Sequence, residues 1–423
     1  MALKDYLPQM ERCGQCSYCK WIPFDHVKSW RFSYGCPSIA NNNFNSYSAR
    51  GRYSVAMSLL NGRSEYTDRV LDIVYKYLTC GSCDVSCKIC RYNMEPLEMM
   101  RELRFKLVED GQLLPEHMFY IEHLRKEDNM MLKPKADRGR WAEGLDVKHV
   151  RDKSAKVLFH AGCRFSFDEG LWQKSRTAVA LLMKAGIDIG IMGADESCCG
   201  CRVFNMGYKG EFKKFAQSNM ELWKTAGIET IVTSCSDCYH AFKRLYPEMG
   251  TKIEVVHTVE YVNRLLTEGK IKFNKNVPMR ITYHDPCHLG RQGEAYVPWN
   301  GKEKKIKNQI VVYEPRKPRY NGANGVYEAP RNVLRSIPGL ELVEMERIRE
   351  YAWCCGAGGG VKEAYPEFSN WTATERIEEA KSTGAEAIVT ACGWCERNFM
   401  DAISASGDKM KVFDVVELAQ QAM

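Results

Sequence analysis

Eighteen of the nineteen cysteines in this 423-residue chain fall into four groups whose spacing suits soft-metal ligation. Cys13, Cys16 and Cys19 are each separated by two residues, so one loop can turn three thiolates toward one face of a cube, and Cys36-Pro37 follows. Cys80, Cys83, Cys87 and Cys90 form a second group, spaced by two, three and two residues. The third group is Cys163, Cys198, Cys199, Cys235 and Cys238; the fourth is Cys287, Cys354, Cys355, Cys392 and Cys395. Three closely spaced cysteines can hold three corners of a [4Fe-4S] cubane, and in two-cluster ferredoxins the fourth cysteine, followed by proline, ligates the other cluster. The expected pairing is therefore Cys13, Cys16 and Cys19 with Cys90, and Cys80, Cys83 and Cys87 with Cys36. A zinc site of four cysteines is the competing chemistry for the second group. Zinc ribbons need two CxxC knuckles separated by a longer loop, and only three residues separate these. In the third and fourth groups five thiolates exceed the four that a cubane takes. An opened, noncubane cluster with bridging thiolates, and an iron able to accept another sulfur, would use all five.

The elements that position the last two groups are copies of one another. GIETIVTSCSDCYHAF at 227–242 matches GAEAIVTACGWCERNF at 384–399, and VVHTVEYV at 255–262 matches VFDVVELA at 412–419, both at an offset of 157. An apolar run, IVTSC or IVTAC, ends at a cysteine and a helical segment follows, so the thiolates stand at the carboxyl ends of strands, where open α/β sheets bind ligands. The unpaired N–H groups and positive end of the following helix would favour an anionic cluster. Neighbouring residues on a strand face opposite sides, so CCG requires a turn, with glycine permitting an unusual backbone. His160 and His284 occupy matching places three residues before the first cysteine of each copy. Each is either a packed strand-end histidine or a donor that tunes a cluster sulfur. Cys201 is read as a bystander, and the run Gly356 to Gly360 as room for a cluster or thiol substrate, since it lacks the context of a phosphate loop.

Residues 1–125 show apolar positions three and four apart in SEYTDRVLDIVYKYL and EPLEMMRELRFKLVEDG, the pattern of helices whose loops carry the first eight cysteines. The predicted fold is thus α+β and multidomain. A helical, ferredoxin-like domain with two [4Fe-4S] clusters spans 1–125, and a linker or strap 126–153. A first α/β module spans 154–275 and a second 276–423, the pair related by approximate two-fold symmetry. The second copy carries roughly 32 extra residues between its first cysteine and its CC pair, a basic insertion at 290–328. Lys302, Lys304, Lys305, Lys307, Arg316, Lys317 and Arg319, interleaved with Tyr and Trp, suit a solvated loop, a docking arm for a partner subunit or a basic lid beside the second cysteine site. A formal charge of +7, from 60 basic and 53 acidic residues, is too balanced to imply nucleic acid. No apolar run approaches the ~20 residues of a membrane span, and the N-terminus lacks an apolar signal core. So many clustered thiols in a chain of this size suit ligands in a reducing, anaerobic cytoplasm rather than disulfides.

With these motifs and spacings the sequence resembles the cysteine-rich CCG proteins of heterodisulfide reductase, in particular the D-type subunit, equivalent to fused C and B subunits. The resemblance covers nearly the whole chain and implies a noncubane [4Fe-4S] cluster at Cys163, Cys198, Cys199, Cys235 and Cys238, and another at Cys287, Cys354, Cys355, Cys392 and Cys395, with zinc a replacement at one of them. It assigns any catalysis to the second set. CGQCSYCKWIPFDHVKSWRF, CPSI and CGSCDVSCKICRYNMEPLEMMRELR are similar to the electron-transfer subunit of class II benzoyl-CoA reductase complexes, which implies a flavin-containing A-type subunit or other electron donor, flavin-based electron bifurcation, and an acyl-CoA-reducing partner. The alternatives are a disulfide reductase in its own right, and, because YHDPCHLGR also resembles text in such proteins, an iron-sulfur subunit of a 2-hydroxy acid or glycerol-3-phosphate oxidising enzyme.

Overall fold

The computed structural model describes residues 2–89, 94–295, 299–307, 310–316 and 318–423. Cys90 lies outside them. The first parallel sheet contains β1 (Lys148–His149), β2 (Val157–Phe159), β3 (Ile189–Ile191), β4 (Thr230–Thr233) and β5 (Glu254–His257), in the order β1-β3-β2-β4-β5. The remaining strands are β6 (Met279–Tyr283), β7 (Lys302–Ile306), β8 (Ile310–Glu314), β9 (Leu340–Val343), β10 (Ala387–Thr390) and β11 (Lys411–Asp414). Of these, β11-β10-β6-β9 form a second parallel sheet. Read from its β9 edge, that sheet repeats the order β3-β2-β4-β5, so the sequence duplication is a duplication of fold. The matching inner strands β4 and β10 are short, apolar and largely buried, as parallel strands covered on both faces must be, whereas the edge strands β9 and β11 are more exposed.

The stretch 126–153 is more than a linker. Lys148 and His149 add an edge strand in parallel register with Gly190 and Ile191. The Asp128 carboxylate accepts hydrogen bonds from Ser197 Oγ and the Cys198 amide.

The N-terminal region is helical, with Ala49–Leu60, Asp68–Tyr75, Ser82–Ile89, Pro96–Glu109 and Pro115–Glu127 as its longer elements. Ser48 and Thr67 cap the first two by accepting from Gly51 N and Val70 N, which satisfies amides that a helix start leaves unpaired. Helix Pro96–Glu109 is buried on several faces, and its Arg104 joins the three parts of the molecule. The guanidinium is fully buried and donates to the carbonyls of Val74, Tyr75 and Tyr77 in the N-terminal region, of Asn205 in the first module and of Gly359 in the second, at 2.6–3.1 Å.

The glycine run serves this same junction and is not the cluster or substrate space expected of it. A Cβ on Gly358 would stand 2.5 Å from Leu78 O, and one on Gly359, whose φ is +63°, 2.7 Å from Tyr77 O. Backbone approaches backbone there, just ahead of Cys80 in the chain, and only glycine leaves room.

The two modules meet through charged pairs. Arg397 forms a bidentate bridge to Asp168, Arg202 pairs with Glu363, and the buried Lys174 reaches Glu396 and Glu417 at 3.0 Å each.

Candidate iron-sulfur centres

In each module the first cysteine follows the β2 or β6 strand end, and CxxC caps the helix that leaves β4 or β10. Cys235 and Cys392 are the N-cap residues of helices Ser236–His240 and Gly393–Ser406. The CC pairs turn as expected. Gly200 has φ +72° and Gly356 φ +93°, and the amide of each lies 3.4 Å from the sulfur two residues before it, Cys198 or Cys354. Gly162 sits so close that a Cβ would stand 2.7 Å from Cys238 Sγ.

The five first-module thiols, Cys163, Cys198, Cys199, Cys235 and Cys238, line one cavity together with Met130, Arg202, Asp237 and Trp394. Contact with Cys198 and burial push the Cys163 thiol well up; contacts with Cys199 and Cys235 and burial do the same to Cys238. The second set is gathered in the same way: Cys354 touches Cys287, Cys355 and Cys80, and Cys395 touches Cys355 and Cys392. These buried groups have other sulfurs as their chief partners. A soft donor set of five, turned inward and poorly satisfied as neutral thiols, fits an iron-sulfur cluster at each site.

Around this shared arrangement the polar partners differ. In the first module Arg138, fully buried, faces Cys163 Sγ at 3.5 Å and Glu196 at 3.3 Å, while Glu196 accepts from the amides of Ala161 and Gly162. Trp394, which belongs to the second module's CxxC, stacks between the Arg164 and Arg202 guanidiniums, 4.0 and 3.8 Å from the ring centroid. Asp237 occupies the matching place in the first CxxC and lies 2.6 Å from His288 Nδ1. Burial pulls the His288 ring down, but the Asp237 charge, the Cys287 charge and the Asp237 hydrogen bond together outweigh it and the net shift is upward.

The two strand-end histidines also part ways. Arg376 Nε, which can only donate, lies 3.1 Å from His284 Nδ1, so that nitrogen accepts and the ring proton sits on Nε2. His284 places a nitrogen within 4.8 Å of the Cys355 and Cys395 sulfurs. Among the described residues Nε2 has no partner other than this sulfur face, and a protonated nitrogen is a donor to sulfur, not a metal ligand. Among the described residues neither ring nitrogen of His160 has a hydrogen-bond partner, and Nδ1 stands 3.7 Å from Glu196. Both rings are held below the usual histidine range by burial.

In the N-terminal region Cys13, Cys16, Cys19 and Cys87 line a cavity of about 220 Å³ with Tyr18, Tyr53 and Met94. Burial raises the Cys19 thiol to about 11 although the first amides of helix Ala49–Leu60, at Arg50 and Ala49, donate to it. Cys36, Cys80 and Cys83 are neighbours of one another, with Arg52 beside Cys36 and Tyr77 Oη 3.1 Å from Cys83 Sγ. Cys87 is thus set beside Cys13, Cys16 and Cys19 rather than with Cys80 and Cys83. The reason is local: 82–89 is helical rather than loop, and Cys83 and Cys87 stand one turn apart, which lets one helix serve two sites.

Two features were hidden in the sequence. Cys80 touches Cys354 and its carbonyl accepts from Arg291 Nε at 2.6 Å, so the N-terminal region meets the second module at sulfur. Cys235 and Cys392 are near enough for their charges to interact, and Ser236 Oγ donates to Ala391 O at 2.8 Å. Cys201 is fully buried near Cys199, with its carbonyl accepting from Asn205; the matching residue of the second copy is Ala357.

Parallel α/β modules that gather Cys, CC and CxxC at strand ends define a protein of the cysteine-rich domain class, and the model of that domain, CCG, matches residues 157–243 and 281–400. The chain belongs to the D-type heterodisulfide reductase family of iron-sulfur oxidoreductase subunits. It is 30% identical to the D-type subunit of the dihydromethanophenazine:CoB–CoM heterodisulfide reductase of Methanosarcina mazei, over 99% of this chain and 95% of that one. It is also 30% identical to the EtfAB:quinone oxidoreductase of Syntrophomonas wolfei, over 81% of this chain but 46% of that longer protein. A crystal structure of a hypothetical protein from Helicobacter pylori shares the fold, with a TM-score of 0.56 at 12% identity, covering 89% of this chain and 68% of that one. Among the described residues no helix is long and apolar enough to cross a membrane.

Proposed function

We propose that this chain is an electron-transfer subunit of a larger anaerobic oxidoreductase, with four iron-sulfur sites in a fixed order. Cys13, Cys16, Cys19 and Cys87 hold the first [4Fe-4S] cluster. Cys36, Cys80 and Cys83 hold the second, with Cys90 the cysteine left to complete it. The second module's five cysteines come next and the first module's five come last, each set holding a noncubane cluster. Such clusters supply one-electron chemistry when bound. What the chain contributes is adjacency. The contact of Cys80 with Cys354 is the observation that carries this reading, because it puts a thiolate of one site against a thiolate of the next.

The finer assignment is that a flavin-containing partner or another electron-donor protein delivers the electrons, with bifurcation at a partner's flavin, and that a low-potential reductase of the class II benzoyl-CoA type receives them. It is supported by the likeness of the N-terminal text alone. A second reading is disulfide reduction, expected from the sequence at Cys287, Cys354, Cys355, Cys392 and Cys395; the first-module cavity, where Asp237, Arg202 and Trp394 stand beside the five cysteines, favours the first set instead. Such a reaction takes one disulfide and two electrons to two thiolates, and the Arg202 guanidinium is placed to attract a thiolate.

The test is anaerobic iron and zinc analysis with EPR of protein purified under argon, followed by addition of a disulfide to the oxidised sample. About sixteen irons, four for each of four clusters, without a response to disulfide support the relay. A new paramagnetic signal on disulfide addition supports the second reading. About twelve irons with one zinc would make one module structural and break the proposed order.

A further inference from the structure

Exposed large apolar side chains are concentrated at one end of the electron path. Eight of the thirteen among the described residues fall on two segments and one helix end: Tyr18, Phe24 and Trp30 on the loop that follows Cys16, Ile306, Ile310, Val311 and Tyr313 on the β7–β8 hairpin, and Ile89 at the end of the helix that bears Cys87. Tyr18 and Cys87 both line the cavity, and Cys16 is exposed.

Neither segment is exposed for want of anchoring. The backbone of Lys28 and Ser29 donates to Glu346 at 3.1 Å and Arg31 forms a bidentate bridge to Glu375, so the loop is pinned to the second module. Its Phe24 is nevertheless 61% exposed and its Trp30 75%, in edge contact with each other. On the other side Arg319 donates to Ile89 O at 2.7 Å, tying the insertion to the Cys87 helix, while Glu294 holds its base by accepting from Gly322 N and Asn324 N. From that base the hairpin projects as a two-stranded ribbon with Ile306, Ile310 and Val311 in water. A lone pair of strands is marginal without a surface to cover it, and contiguous exposed apolar groups mark interaction sites.

Charge identifies the occupant. Arg12, Lys20 and Lys28 on the first segment, and Lys302, Lys305, Lys307 and Arg316 on the second, have no carboxylate partner among the described residues; against these seven stand three carboxylates, Glu11, Asp25 and Glu303, while Glu314 is paired with Lys304. We propose that the aromatic loop and the hairpin together form the docking surface for an acidic electron-carrier protein, which delivers its electrons at the Cys13, Cys16, Cys19 and Cys87 site. This rests on the relay reading. The apolar groups provide contact area, and the basic rim steers an acidic partner so that its cofactor faces the exposed Cys16 edge.

The experiment is stopped-flow reduction of the full-length, cluster-loaded protein by a reduced acidic two-[4Fe-4S] ferredoxin, with reduced methyl viologen as a small cationic control. Three variants are compared: Phe24→Ser with Trp30→Ser, residues 302–314 replaced by a Gly-Ser-Gly turn, and Lys302→Glu with Lys305→Glu and Lys307→Glu. The expected result is a bimolecular rate with ferredoxin that falls steeply with added salt in the wild type and drops tenfold or more in each variant, while the viologen rate stays the same. The unchanged viologen rate shows that each variant is folded and loaded. A salt-independent ferredoxin rate, or variants as fast as wild type, overturns the docking surface. If viologen reduces the N-terminal clusters and the electrons never reach either module, the relay reading itself falls, whatever the ferredoxin rates are.

Discussion

The two modules share strand order, the φ-positive CCG turn and the N-cap cysteine, yet the residues around their sulfurs have diverged. The first surrounds its cysteines with charge, from Arg138, Glu196, Asp237 and Arg202, and borrows Trp394 from its twin. The second faces a histidine donor and the N-terminal Cys80. Duplication preserved the ligands, which cluster geometry dictates, and released the surroundings, which set potential and access. In the relay proposed above, the second site is the junction with the N-terminal region and the first is the far end of the path.

The strongest way to break that comparison is to remove one site and ask whether the other survives. Cys392→Ser is expected to abolish the second module's noncubane signal, with loss of about four irons, while the first module's signal and the N-terminal cubane signals persist in EPR. Cys201→Ala, outside both ligand sets, is expected to keep full iron. Loss of every signal from Cys392→Ser would show that the modules are one cooperative unit.

Arg104→Ala attacks the junction that distinguishes the second module. Five carbonyls in three parts of the chain lose their donor, and the expected destabilisation is about 4 kcal/mol, seen in denaturant unfolding. A change under about 1 kcal/mol would mean that water replaces the guanidinium and that Arg104 does not hold the parts together.

The same junction carries a pH dependence. His117 Nε2 lies 3.0 Å from Gly360 O, and burial depresses the ring to about 4 from its ordinary 6.5. The unfolded chain therefore binds this proton more readily, so stability present above pH 6.5 is lost as the pH falls toward 4. The loss at pH 5 is about 2 kcal/mol. His117→Gln should flatten this part of the melting-temperature profile between pH 6.5 and 5; an unaltered profile would place the titration elsewhere.

The smallest effect sharpens the contrast of the two histidines. His284→Ala removes a donor from the Cys355 face and should shift the second module's midpoint potential to a more negative value, with His284→Gln restoring part of the shift. His160→Ala should leave the first module's potential unchanged. Equal shifts in an EPR-monitored titration would erase the asymmetry inferred from Arg376.

The cysteine groups, the duplication, the strand-cysteine-helix order and the glycine turns were all legible in the sequence, because local spacing and period 2 or 3.6 patterns encode them directly. Tertiary structure decided which sites are neighbours. Cys87 left its expected group because a helix, not a loop, carries it. The glycine run looked like space for a ligand because sequence shows what glycine omits, but not that Tyr77 and Leu78 fill the gap. Cys80 and Cys354 are 274 positions apart, and nothing in either motif announces the other. Ligand identity follows from spacing along one stretch of chain, whereas the order of the sites depends on packing between stretches, which folding brings together only when the whole core forms.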